Sequence, residues 1–266
     1  MTLTVTRRMN DPDQPARYWR IVGVAAIVAF LGMASAFAQV SIFGGLEYER
    51  FNGDLSPWKL ATFELTGKSD RGTITGRVME ARRFDTSGTQ VEVEAYPRFG
   101  KTTYAYLNAG GSNSTILAHR RYAAELFHTL PGAWELSAGA RRIEFTSSST
   151  IYTASVGRYW GNYWAALRPY VTEGGAGTLK SASFVMRRYF ATGDDYIGVD
   201  ALAGQTPRDP LIARELGLAR WSAGVQTQRL FGAILLRGRI GMESIDLGSG
   251  AARRGTIATV GLGRRF

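Results

Sequence analysis

Two histidines, His119 and His128, stand in this 266-residue chain. His119 follows Ser112 and Ser114, and an imidazole near a serine hydroxyl is the start of a nucleophilic relay. Such a relay needs the ring to take the hydroxyl proton and a third polar group to orient the ring. No nucleophile motif surrounds either serine, so His119 reads first as a solvated loop side chain. The two histidines fall about a strand length apart, at opposite ends of a predicted run, too far for one shared metal. Gly174-Gly175-Ala176-Gly177 lacks the lysine and hydroxyl of a phosphate loop and reads as a turn. Asp194-Asp195 resembles a metal pair only in composition and reads as a strand-capping turn. No catalytic residue, metal site or cofactor is expected.

The charged residues are the richer set. Glu64, Glu92, Glu94, Arg98, Arg141, Arg187, Asp200, Arg237, Arg239 and Glu243 recur at alternate positions, facing away from apolar neighbours. In the core of a β-sandwich such residues would be expensive to bury. In a water-filled lumen they are cheap. One reading is a pore in which Arg187, Arg237 and Arg239 form an electropositive stripe that favours anionic solutes. The competing reading is that Glu and Arg on facing walls neutralise each other and plug the lumen.

The elements that must carry these residues are short alternating runs. From Phe43 onward the chain breaks into fourteen, at a spacing of about sixteen residues, with turn residues between them. In the run Thr89–Phe99, Val91, Val93 and Ala95 alternate with Gln90, Glu92, Glu94 and Tyr96. Arg120–Phe127 is the weakest run and also fits a helix, so twelve strands is the runner-up count. The last run, 256–266, sets Val260, Leu262 and Phe266 on one face against Thr259, Gly261, Gly263 and Arg265. An open edge of this kind invites aggregation in a soluble protein. In a closed barrel it seals against the first strand, apolar face to lipid and small, polar face to the lumen.

The expected fold is therefore all-β, a transmembrane antiparallel up-and-down barrel of about 14 strands in a bacterial outer membrane. Every long connection (111–119, 205–218 and 246–255) follows an odd-numbered run, and the even-numbered connections read as short turns. That sorting places both mature termini in the periplasm and the long loops outside. Trp58, Trp134, Tyr159, Trp160, Trp164, Tyr189 and Trp221 fall near run ends, as interfacial girdles require.

Residues 21–33 are apolar, preceded by Arg17 and Arg20 and followed by Ala36-Phe37-Ala38. This is the pattern of a secretory signal cleaved after Ala38, with Ala36 and Ala38 as the small-residue site. The run is shorter than the ~20 residues of a spanning helix, which sets aside an uncleaved anchor. The mature domain is then 39–266. Residues 1–38 hold four of the 32 basic and two of the 22 acidic residues, which leaves the mature chain at +8. The basic residues are spread among alternating runs rather than clustered, so nucleic acid is not an expected partner. There is no cysteine, in keeping with an envelope protein held by a closed hydrogen-bond ring rather than disulfides.

Gly45-Leu46-Glu47-Tyr48-Glu49-Arg50-Phe51, Trp58-Lys59-Leu60-Ala61, Gly76-Arg77-Val78 and the terminal Gly261-Leu262-Gly263-Arg264-Arg265-Phe266 resemble the YaiO family of outer-membrane β-barrels. Arg264 departs from the usual terminal assembly signal, where a second apolar or aromatic residue stands. Val260, Leu262 and Phe266 supply the rest of that signal. The resemblance implies outer-membrane location and an association with envelope polysaccharide systems, and it carries no catalytic motif. The partners expected are outer-membrane lipids and lipopolysaccharide, the barrel assembly machinery, and polysaccharide synthesis or export proteins. The expected function is a small channel for anionic solutes or saccharides. The alternative is a non-conducting accessory barrel that docks envelope machinery, and the weakest is a lipid-modifying enzyme.

Overall fold

A computed structural model describes residues 37–53, 55–83, 85–175, 177–206, 218–247 and 251–266. The expected signal segment up to Ala36, and residues 207–217 and 248–250 of two expected loops, lie outside this set. Fourteen strands form a closed antiparallel ring in which every strand pairs with its sequence neighbours and β1 pairs with β14. The first seven are β1 (Gln39–Phe51), β2 (Trp58–Ser69), β3 (Gly72–Arg83), β4 (Thr86–Pro97), β5 (Thr103–Ser112), β6 (Arg120–Leu130) and β7 (Trp134–Glu144). The rest are β8 (Ser148–Trp160), β9 (Tyr163–Gly174), β10 (Gly177–Tyr189), β11 (Tyr196–Thr206), β12 (Leu218–Phe231), β13 (Ile234–Asp246) and β14 (Ala252–Arg265).

The helical alternative for 120–127 fails because this segment pairs on both sides, with β5 and β7. Its period-two pattern of exposed and covered residues (Tyr122, Ala124 and Leu126 against Glu125 and Phe127) is that of a strand. The twelve-strand count fails with it. Pairing also lengthens strands into expected loops: β5 reaches Ser112, and β13 and β14 leave only 247–251 between them. The sorting of loop lengths is correspondingly weaker than the sequence suggests. Two even-numbered connections, 98–102 and 190–195, are longer than tight turns.

Alternation sets which side chains face in. On the outside stand Leu46, Val199, Ile240, Val260 and Leu262, all exposed, as a membrane-facing wall requires. Trp134, Trp160 and Trp221 join them near strand ends. The other expected girdle residues divide differently. Trp58, Tyr159, Trp164 and Tyr189 lie at inward positions by strand parity, where Arg83 stands 5.0 Å from the Trp58 ring and Arg187 5.5 Å from the Trp164 ring.

The seam is closed by register as well as by hydrogen bonds. Val260 lies opposite Leu46 and Leu262 opposite Gly44, and the Phe266 N–H donates to the Val40 carbonyl at 2.8 Å. On the inner side the Phe43 ring lies over Gly261 so closely that a Cβ there would overlap it. Gly44, facing out, has open space at the same place. Gly261→Val should therefore cost roughly 1–3 kcal/mol by overpacking and lower the folded fraction on a heat-modifiability gel. Gly44→Val should fold like the wild type.

Candidate functional site

The inner wall carries three clusters of charge. On β2–β6, Arg77 Nε donates to Glu64 at 2.8 Å, and its Nη1 reaches Glu94 at 3.0 Å and Glu92 at 3.4 Å. Arg121 Nη1 donates to the other Glu92 oxygen at 2.7 Å, and Asn108 Nδ2 to Glu92 at 3.4 Å. The Gln90 amide donates to Glu92 as well. Between β6 and β9, Glu125 accepts from Arg168 at 2.9 Å and Ser137 at 2.6 Å, with Arg141 at 3.7 Å. On β11–β14, Arg239 grips Asp200 through two nitrogens at 3.1 and 2.6 Å, and Glu243 meets Arg220 at 2.7 Å and Arg253 at 3.7 Å. Arg237, with Phe43 4.1 Å beneath its guanidinium, reaches Glu64 at 2.9 Å and Gln228 at 2.8 Å, so β12 and β13 also meet the first cluster.

Acids and bases do not share the wall equally. The side chains of Glu92 and Glu125 are 1% and 2% exposed, while their partners Arg121 and Arg141 are 32% and 29% exposed. Glu243 and Arg220 repeat this at 5% and 34%. At these three acids the carboxylates lie against the strands and the guanidiniums stand over them, whereas Arg239 and Asp200 are equally exposed, at 27% and 25%, and Arg253 is buried beside Glu243 at 7%. A solute inside the ring would meet mainly guanidinium edges, although charges of both signs line it.

A ring of this strand number is wide. Fourteen strands at ~4.8 Å spacing and a tilt near ~40° give a backbone diameter of roughly 25–28 Å. Narrowing comes from two connections. At the end away from the termini, the segment after β5 folds onto the inner wall, with Ile116 and Leu117 buried against Ala81, Trp58 and Leu60. At the other end, Asp194 in the β10–β11 connection forms ion pairs with Lys68 of β2, at 3.5 Å, and with Arg265 of β14. Its carbonyl accepts from Gln228 at 2.9 Å, and Arg229 holds Asp195 at 2.8 Å. β2 lies five strands round the ring from β11. That chord is most of the diameter, far more than lysine and aspartate side chains can span, so this connection folds across the mouth.

Nine of the ten expected lumen residues sit at inward strand positions. Arg187 stacks between Trp164 and Tyr196, its guanidinium 5.5 and 4.5 Å from the two rings. Arg98 is the exception: it lies past the end of β4, exposed, with an isolated bridge to Tyr104 and its N–H donating to the Arg71 carbonyl at 2.9 Å. Arg77, Arg121, Glu125, Arg168, Lys68 and Asp194 were missed by sequence reasoning. Lys68 shares strand parity with Glu64, already placed inside on β2, and that parity could have found it; β3, β6 and β9, which carry Arg77, Arg121, Glu125 and Arg168, held no placed residue to count from.

The serines near His119 are committed elsewhere. Ser112 Oγ donates to the Thr89 carbonyl at 2.6 Å and Ser114 Oγ to the Ser87 carbonyl at 3.5 Å. Both pin the inserted segment to β4, and neither hydroxyl bonds the exposed His119. His128 lies on the outward face, its Nδ1 2.8 Å from Thr103 Oγ1. Among the described residues, no group of three or more His, Asp or Glu side chains is placed to hold a metal ion.

The family profile described as YaiO membrane beta barrel domain matches residues 40–209. No curated protein matches the chain. Among solved structures, OpdQ of Pseudomonas aeruginosa is similar at 8% identity and a TM-score of 0.49, over 86% of this chain and 98% of that one. OpdD of the same organism is similar at 10% identity and 0.49, with the same coverage.

Proposed function

The chain belongs to the YaiO membrane β-barrel family, and we propose that this outer-membrane barrel is a narrow channel for small anionic solutes, acidic saccharides among them. Both termini lie on the periplasmic side in this reading, and the 190–195 connection partly covers that mouth. The carrying observation is the unequal exposure of the wall: buried carboxylates at its base, solvent-facing guanidiniums above them. Basic side chains that line a pore favour anions by direct attraction in a confined, partly desolvated space.

Reversal potentials in a potassium chloride gradient across a planar bilayer test this. The wild type should be anion-selective. Arg237→Glu removes a guanidinium that is 39% exposed and leaves Glu64 facing a second acid, so its anion preference should fall severalfold or invert. A folded wild-type barrel that never conducts would instead favour the accessory reading, a closed barrel that docks other envelope proteins.

A further inference from the structure

On the outward face, at the end away from the termini, three cations crowd adjacent strands. Lys59 of β2 lies directly opposite Arg82 of β3 and, on its other side, opposite Tyr48 of β1. Arg50 follows two residues after Tyr48 on the same face of β1. All three are exposed, and none forms an ion pair with a described residue. Like charges directly opposite in an antiparallel pair repel one another. One outward carboxylate, Glu80 of β3 opposite Ala61, stands against these three cations, so the surface keeps room for an anion from outside the chain.

The surface beside them says what kind of anion. Below Lys59 and Arg82 runs an outward groove of about 540 Å³ walled by Leu46, Tyr48, Ala61, Ala258 and Val260. Register explains its shape. Ala61 lies opposite Leu46, and Ala258 opposite Tyr48, so small residues leave a trough on both sides of the large ones. Two acids, Glu47 and Glu80, also border it; Glu80 accepts from Thr89 Oγ1 at 3.3 Å and Glu47 from Thr259 Oγ1 at 3.2 Å. A trough of apolar side chains ending in two adjacent cations complements an acyl chain that ends in a phosphate.

We propose that this groove is a lipid site for one phosphorylated, multiply acylated glycolipid of the outer leaflet, the lipid A portion of lipopolysaccharide. A phosphate monoester sits between Lys59 and Arg82, and an acyl chain lies over Ala61 and Ala258. Two cations side by side match the near-double negative charge of a monoester better than the single charge of a phospholipid diester. The proposal rests on the orientation given above, which puts this end in the outer leaflet. It does not rest on conduction.

Thermal unfolding of the refolded protein in detergent, with added lipid A or with dioleoylphosphatidylglycerol, tests it. The wild type should gain several degrees with lipid A and markedly less with the phospholipid. The double variant Lys59→Gln/Arg82→Gln should lose most of that gain. Without lipid it should unfold at or above the wild-type temperature, because the repulsion is gone. Ala61→Leu, which fills the trough and keeps both cations, should also lose the gain. Bilayer conductance of both variants should match the wild type, so a failure here leaves the channel reading standing. An equal gain in the double variant, an equal gain with the phospholipid, or a stable dimer seated on this face in place of the lipid would each overturn the proposal.

Discussion

Asp194→Ala should raise the single-channel conductance at least twofold and change little else. The side chain holds Lys68 and Arg265 from across the mouth, and without it the 190–195 connection loses its hold on the β1–β2 side of the ring. The stability cost should stay within about 1 kcal/mol for each pair, because exposed ion pairs in high dielectric contribute little. Lys68 and Asp194 are 44% and 32% exposed, so that discount applies here. Asp194→Asn keeps the shape and loses the charge, and should behave like the alanine variant. Lys68→Ala leaves the Arg265 contact intact and should give an intermediate conductance. High salt should mimic the mutation in the wild type, since the screening length shrinks to ~3 Å at 1 M. Wild-type conductance should thus rise faster than bulk conductivity, and that excess should vanish in Asp194→Ala. If all four proteins conduct alike at every salt concentration, the connection is not the barrier.

Much of the barrel was legible because strand period is two and a transmembrane wall must keep it. The bounds Trp58–Ser69 were readable outright, since Pro57 precedes that run and Ser69-Asp70-Arg71-Gly72 turns it. Parity also gave the facing of Glu64, Glu92 and Asp200. What parity cannot give is azimuth. Arg237 and Glu64 are 173 residues apart in sequence, yet ring closure sets β13 three strands from β2, and the two become partners. The same limit hid the tether. In sequence, Asp194 and Asp195 cap a turn, and only the path of the connection across the mouth turns one of them into a cross-link. The expected stripe of Arg187, Arg237 and Arg239 left out their partners: Arg237 meets Glu64, Arg239 meets Asp200, and Arg187 lies between Trp164 and Tyr196. Burial of the carboxylates beneath the guanidiniums depends on which neighbours crowd each acid. At Glu92 those are Gln90, Asn108, Arg77 and Arg121, drawn from four different strands.

That crowding makes Glu92 the residue whose loss should cost most. Its side chain is 1% exposed and faces two guanidiniums, Arg121 at 2.7 Å and Arg77 at 3.4 Å. Removing one partner of a buried ionic network strands the others without compensation, a loss of roughly 3–5 kcal/mol. Arg77 keeps Glu64 and Glu94, so the lower half of that range applies to it and Arg121 bears the larger share. Glu92→Ala should therefore unfold at clearly lower urea than the wild type. Glu144→Ala, which breaks an exposed pair with Arg142, should shift stability by no more than about 1 kcal/mol. Equal effects of the two substitutions would mean that the lumen network contributes no more than a surface pair. In the bilayer the sign reverses. Without Glu92 the freed Arg121 and Arg77 add unneutralised positive charge to the wall, and anion preference should increase in the fraction of Glu92→Ala that folds. A variant that loses stability while gaining selectivity would show that the buried acids hold the arginines in place and restrain the field those arginines present to the lumen.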